Sequence, residues 1–128
     1  MKCFVTGRSS NIPEVERAIA AVRALGHEVT FNWPTLSMVK PYAENPDKAA
    51  TFATSAIQGI IDTDVYILLA HHDGTGVFTE LGAALALAQL HGKPKIYAVA
   101  AEIPPAMFHY HPAIIWNETI EEVLAELA

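Results

Sequence analysis

Two groups of residues in this chain have the types and spacing to do chemistry. The first is Asp73-Gly74-Thr75-Gly76 with Glu80 four residues on, in the stretch that opens at His71-His72. Glycines let a backbone approach a ligand closely, and a carboxylate beside such a turn can act as a nucleophile. The same carboxylate also suits a plain helix cap. The second group is Gly7-Arg8-Ser9-Ser10, ahead of Asn11. Two hydroxyls, a guanidinium and a helix start make an anion site fit for phosphate or carboxylate. An ordinary helix start with a solvated Arg explains it equally well.

Other candidates are less committed. His71, His72 and Asp73 are of metal-ligand type, but adjacent residues rarely hold one ion and no further Cys/His cluster joins them. His71 fits a hydrogen bond to substrate better, and no metal is expected. Gly74-Thr75-Gly76 lacks the third glycine of a dinucleotide fingerprint and follows the wrong strand. No Walker A sequence is present, so no cofactor is expected. Trp33 suits stacking on a base or packing in the core. His109 and His111 flank Tyr110 in a Pro-rich loop. With Asn117 they are candidates for a neighbouring subunit's contribution to a site.

The elements around these residues place them. Asp64 to Ala70 is a short apolar run that reads as a buried strand. The helix after it is expected from Phe78 to His91, with Glu80 in its first turn, where the dipole keeps a carboxylate ionised. Lys2 to Thr6 reads as strand one. Asn11 and Glu14 have capping-box spacing, and Val15, Ala18, Ile19, Val22 and Leu25 recur on one helical face ending at Gly26. His27 to Trp33 reads as strand two and Pro34 to Asn45 as a loop. Asn45-Pro46 opens a second helix with Phe52, Ala53, Ala56, Ile57, Ile60 and Ile61 on one face. Lys95 to Ala100 and Ala113 to Trp116 are strands four and five, and Asn117 caps a last helix from Glu118 to Leu127.

Strands alternating with helices give a parallel sheet with right-handed crossovers. The expectation is an α/β, flavodoxin-like three-layer sandwich with strand order 2-1-3-4-5, as one domain over residues 1–128. Ligands then bind at the carboxyl ends of strands one and three, between Gly7-Arg8-Ser9-Ser10 and the stretch from His71 to Glu80.

At 128 residues, 52% hydrophobic and 17% charged, the chain is globular. Its net charge of −6 argues against nucleic acid or an anionic membrane as partner. The lone Cys3 points to a reducing, cytoplasmic setting and a buried filler role. Helix three has almost no polar face from Leu81 to Leu90, which implies a homodimer or larger homo-oligomer.

A first strand closed by Gly7, an Asp-led third strand, Gly-x-x-x-Glu-x-Gly from Gly76 to Gly82 opening an Ala/Leu helix, and Gly92-Lys93-Pro94 before strand four stand together here. With these, the sequence resembles the nucleoside 2-deoxyribosyltransferase family, which includes the 2'-deoxynucleoside 5'-phosphate N-hydrolases. The resemblance runs from Lys2 to the last helix. It implies a flavodoxin-like fold, a nucleoside or nucleotide substrate, and cleavage of an N-glycosidic bond. Glu80 would attack the anomeric carbon, and a base or water would complete the reaction, the retaining logic of glycosidases. It also implies that Arg8, Ser9 and Ser10 occupy the 5'-phosphate place and that Asp73 matches the loop acid. Family members carry an Asp in the second helix where this chain has Ala56 beside Ser55. They carry a strand-one Tyr where it has Phe4, and their loop before the Glu differs in length. Two other readings stand: a non-catalytic nucleotide-binding or sensing protein, and a cytokinin-activating-type phosphoribohydrolase, whose Pro-Gly-Gly lead-in is absent here.

Overall fold

A computed structural model of the chain describes residues 1–36 and 39–128. Five parallel strands form one sheet in the order β2-β1-β3-β4-β5, as the alternation of strands and helices predicts. They are β1 (Lys2–Thr6), β2 (Glu28–Val29), β3 (Val65–Leu69), β4 (Lys95–Val99) and β5 (Ile114–Asn117). The helices are α1 (Ile12–Ala24), α2 (Pro46–Asp62), α3 (Thr75–His91) and α4 (Ile120–Leu127). No described helix is long and apolar enough to cross a membrane.

Strand β3 is central and buried along its whole length, as a strand covered on both faces must be. Its alternating side chains feed two cores. On one side Val65, Ile67 and Leu69 pack with Val15, Ile19 and Val22 of α1 and Val123 and Leu127 of α4. On the other, Tyr66 and Leu68 pack with Ile60 of α2 and Leu81, Ala84 and Leu85 of α3. Cys3 is fully buried in the first core, and burial raises its thiol pKa, so it is filler.

Several expected boundaries move. Asn11 stands at the N-cap position of α1 but makes no side-chain cap bond: its amide donates to the Glu14 carboxylate, not the backbone, and the turn Ser9–Asn11 precedes the helix. The end of α1 closes as a Schellman motif, with Gly26 N–H donating to Arg23 C=O and His27 N–H to Val22 C=O. Strand β2 has two residues rather than seven. Thr30 then donates its hydroxyl to Gly59 C=O at 3.0 Å, and Trp33 sits in a one-turn helix (Trp33–Thr35) outside the sheet. Within the expected loop from Pro34 to Asn45, residues 37 and 38 lie outside the described residues, and Tyr42–Glu44 forms a second short turn. In α2 only Gly59 and Ile60 are buried; Ile57 and Ile61 are exposed. Asn117 ends β5, and Thr119 caps α4 by accepting from Glu122 N–H.

Candidate active site

Helix α3 begins at Thr75, three residues before the expected start, because Gly74 breaks the chain into it. Gly74 stands at φ 119°, a conformation that side chains disfavour. Glu80 therefore lies in the second turn, not the first, and the helix dipole does not govern its charge. Burial does. The carboxyl is pushed up to about 7 by loss of solvent, and the bond donated by Thr6 Oγ1 at 2.8 Å only partly offsets this. Glu80 makes no cap bond at all. It links the carboxyl end of β1 to α3.

A cleft of about 850 Å³ opens at this point. One wall comes from the β1 end and its loop: Thr6, Gly7, Arg8, Ser9 and Ser10. Gly7 is required there because a Cβ would come within 2.9 Å of Val15 Cγ2. The facing wall is Asp73, Gly74, Thr75, Gly76 and Glu80. Arg8 bridges the two loops, with its Nη1 at 3.0 Å from Asp73 Oδ1. Thus the structure brings together Gly7, Arg8, Ser9, Ser10, Asp73, Gly74, Gly76 and Glu80, all singled out from the sequence.

Trp33 also lines the cleft, and its indole N–H is tied to Val5 C=O at 3.1 Å. Its orientation is therefore fixed. The apolar face of α2 turns here as well: Phe52, Ala53 and Ala56 line the cleft rather than pack in the core. Phe31, Lys40 and Tyr42 add to this wall, with the Lys40 ammonium 6.0 Å from the centre of the Tyr42 ring. Sequence reasoning missed these three. The aromatic alternation of Phe31 and Trp33 was visible but pointed to a strand.

His71 stands apart from the cleft lining, with its Nε2 4.0 Å from Glu14 Oε2. His109, His111 and Asn117 do not line this chain's cleft either. His109 is buried, edge-on to Phe78 at 5.4 Å and against Trp116. His111 shares a hydrogen bond with Gln89 at 2.9 Å. Asn117 donates to Ile115 C=O. Among the described residues no group of three or more His, Cys, Asp and Glu is placed to hold a metal ion.

No family model and no curated protein matches the sequence. Solved structures do. The chain is similar to the Clostridium botulinum CMP N-glycosidase BcmB at 17% identity and TM-score 0.59, over 99% of this chain and 98% of that one. It is similar to a 2-deoxyribosyltransferase from the psychrotolerant bacterium Bacillus psychrosaccharolyticus at 18% identity and TM-score 0.69, over 99% of this chain and 96% of that one. The chain shares their fold. The likeness spans each molecule nearly end to end, so the cleft at the β1 and β3 ends lies at the switch point of a common architecture, where open α/β sheets bind ligands.

Proposed function

We propose that the protein cleaves the N-glycosidic bond of a nucleoside or nucleoside monophosphate, with Glu80 as nucleophile. The observation that carries this reading is a half-buried carboxylate, held by Thr6 and lining the same cleft as Arg8 and two serines. The ionised Glu80 oxygen attacks the anomeric carbon. The base departs with the electrons of the broken C–N bond and takes a proton from solvent water, and the incoming water or acceptor base returns one to solvent in the next step. Water, or an acceptor base, then attacks the same carbon and releases the Glu80 carboxylate. Ser9, Ser10 and Arg8 suit a 5'-phosphate, and Asp73 orients the guanidinium. Trp33 and Tyr42 offer aromatic faces for the base. The two similar proteins are, by name, a CMP N-glycosidase and a 2-deoxyribosyltransferase, which supports this class of bond.

The test is a panel of nucleosides and nucleoside monophosphates, with and without acceptor base, assayed for free base by chromatography. Wild type should release base with a rate that climbs through pH 7 as Glu80 ionises. Glu80→Gln should lose several orders of magnitude in rate. A wild type that binds a nucleotide but releases nothing would move the assignment to a nucleotide-binding or sensing protein.

A further inference from the structure

Tyr66 and Tyr97 are the largest fully buried side chains among the described residues. The Tyr66 hydroxyl has no hydrogen-bond partner among the described residues. Buried O–H groups are nearly always paired in native proteins, so an orphan needs a physical account. Its position offers one. Phe4 lies opposite Tyr66 and Thr6 opposite Leu68 in the β1–β3 register. Alternate residues on adjacent strands share a face, so Phe4, Thr6 and Tyr66 all point to the α2–α3 side. Phe4 stacks on the Tyr66 ring at 5.6 Å and 10° between planes, which fixes the phenol's direction.

Glu80 enters this same compartment. Thr6 donates to its Oε1, while Oε2 accepts no bond from the described residues. Burial holds the Tyr66 phenol well above its ordinary value, and the nearby Glu80 charge adds to this. The phenol is therefore a neutral donor at any working pH. The other ionisable groups on the cleft are Arg8, Lys40, Tyr42 and Asp73. Arg8 and Asp73 pair with each other, and Lys40 lies over Tyr42. What remains is a buried donor without a partner behind the cleft wall and, on the half-buried Glu80 that lines the cleft, a carboxylate oxygen that accepts no bond from the described residues.

We infer that Tyr66 is a positioning residue for Glu80: its hydroxyl donates to the second carboxylate oxygen when Glu80 ionises, so Thr6 and Tyr66 hold the group from both sides. A bond to the charged form favours that form. Tyr66 thereby keeps Glu80 from being locked as the neutral acid by its burial. The catalytic consequence rests on the reading of Glu80 as nucleophile; the contact itself does not.

Tyr66→Phe removes one oxygen and leaves the stack on Phe4. The experiment is a carbon-13 NMR titration of the glutamate side-chain carboxyls, with Glu80→Gln identifying the Glu80 signal. In Tyr66→Phe the Glu80 midpoint should rise by about one pH unit or more. The thermal midpoint of unfolding at pH 5, where Glu80 is neutral, should not fall. On a substrate from the panel, kcat at pH 6 should drop about tenfold with little change in KM. Site-specific 3,5-difluorotyrosine at position 66, a stronger donor, should move the midpoint the other way. A Glu80 midpoint that stays in place in folded Tyr66→Phe or in the difluorotyrosine protein overturns the inference. A shifted midpoint in a protein that releases no base upholds it and overturns the enzyme reading instead.

Discussion

Replacing Glu80 by Gln keeps the side chain's shape and its ability to accept from Thr6, and removes the charge. The effect on stability follows from the displaced titration. The folded carboxyl stands at about 7 against an ordinary 4.5. Between those values the folded protein still binds the proton that the unfolded chain has released, so stability falls as pH rises through this window and levels off above 7. At about 1.4 kcal/mol per unit, the ionised carboxylate costs the fold about 3 kcal/mol at pH 8. Glu80→Gln removes that cost. At pH 4, where the folded group is neutral in wild type, the variant should be near wild-type stability. At pH 8 it should melt about 10 °C higher. Differential scanning calorimetry at the two pH values measures the difference directly. A variant no more stable at pH 8, or one shifted equally at both, would refute burial as the control on Glu80. A gain in stability with loss of cleavage is the expected signature of a strained functional group.

Three further outcomes can be measured. Arg8→Ala should abolish any preference for monophosphates over nucleosides, a loss of about 1.5 kcal/mol by titration calorimetry, held to the low end because Arg8 is 36% exposed and already engaged by Asp73; equal wild-type affinity for both ligand classes would argue that the loop only starts a helix. Gly74→Ala forces a side chain into φ 119° and should cost about 1–2 kcal/mol in chemical denaturation, so an unchanged midpoint contradicts it. The outer end of α3 exposes 75% of Leu90, and wild type should be a dimer or larger by light scattering, with Leu90→Lys dissociating it while circular dichroism is unchanged. A wild type that is monomeric at micromolar concentration sinks that expectation.

Sheet order and the loops that meet at the cleft were legible because they follow from local pattern. The run from Val65 to Leu69, the helical spacing through α1, and glycine at strand ends each point one way. What escaped depended on tertiary contacts. Gly76 has poor helix propensity, which hid the true start of α3 at Thr75 and put Glu80 one turn too early. That error changed its electrostatics from dipole-stabilised to burial-destabilised. Phe31 and Trp33 have strand-like alternation, but the bond from Thr30 to Gly59 and the indole bond to Val5 draw them off the sheet. Phe52 and Ala56 read as core because an apolar helix face looks the same whether it meets a sheet or lines a cleft. Tyr66 read as one more apolar strand residue, since periodicity says nothing about where a hydroxyl ends.

The brevity of β2 has a consequence for how this molecule can change. Chain that would have continued as an edge strand instead forms a wall of the cleft, where Phe31 and Trp33 touch the cores only from their margins. The reacting centre, by contrast, is built from strand and helix residues that also hold the sheet together. Substitutions at Thr6 or Glu80 act on fold and chemistry at once. Substitutions at Leu36, Val39 or Tyr42, which line the cleft without joining either core, alter what the cleft admits and little else. Selectivity and reactivity are thus inherited through separate parts of the chain, and a library confined to those three positions samples new leaving groups on an unchanged reaction centre.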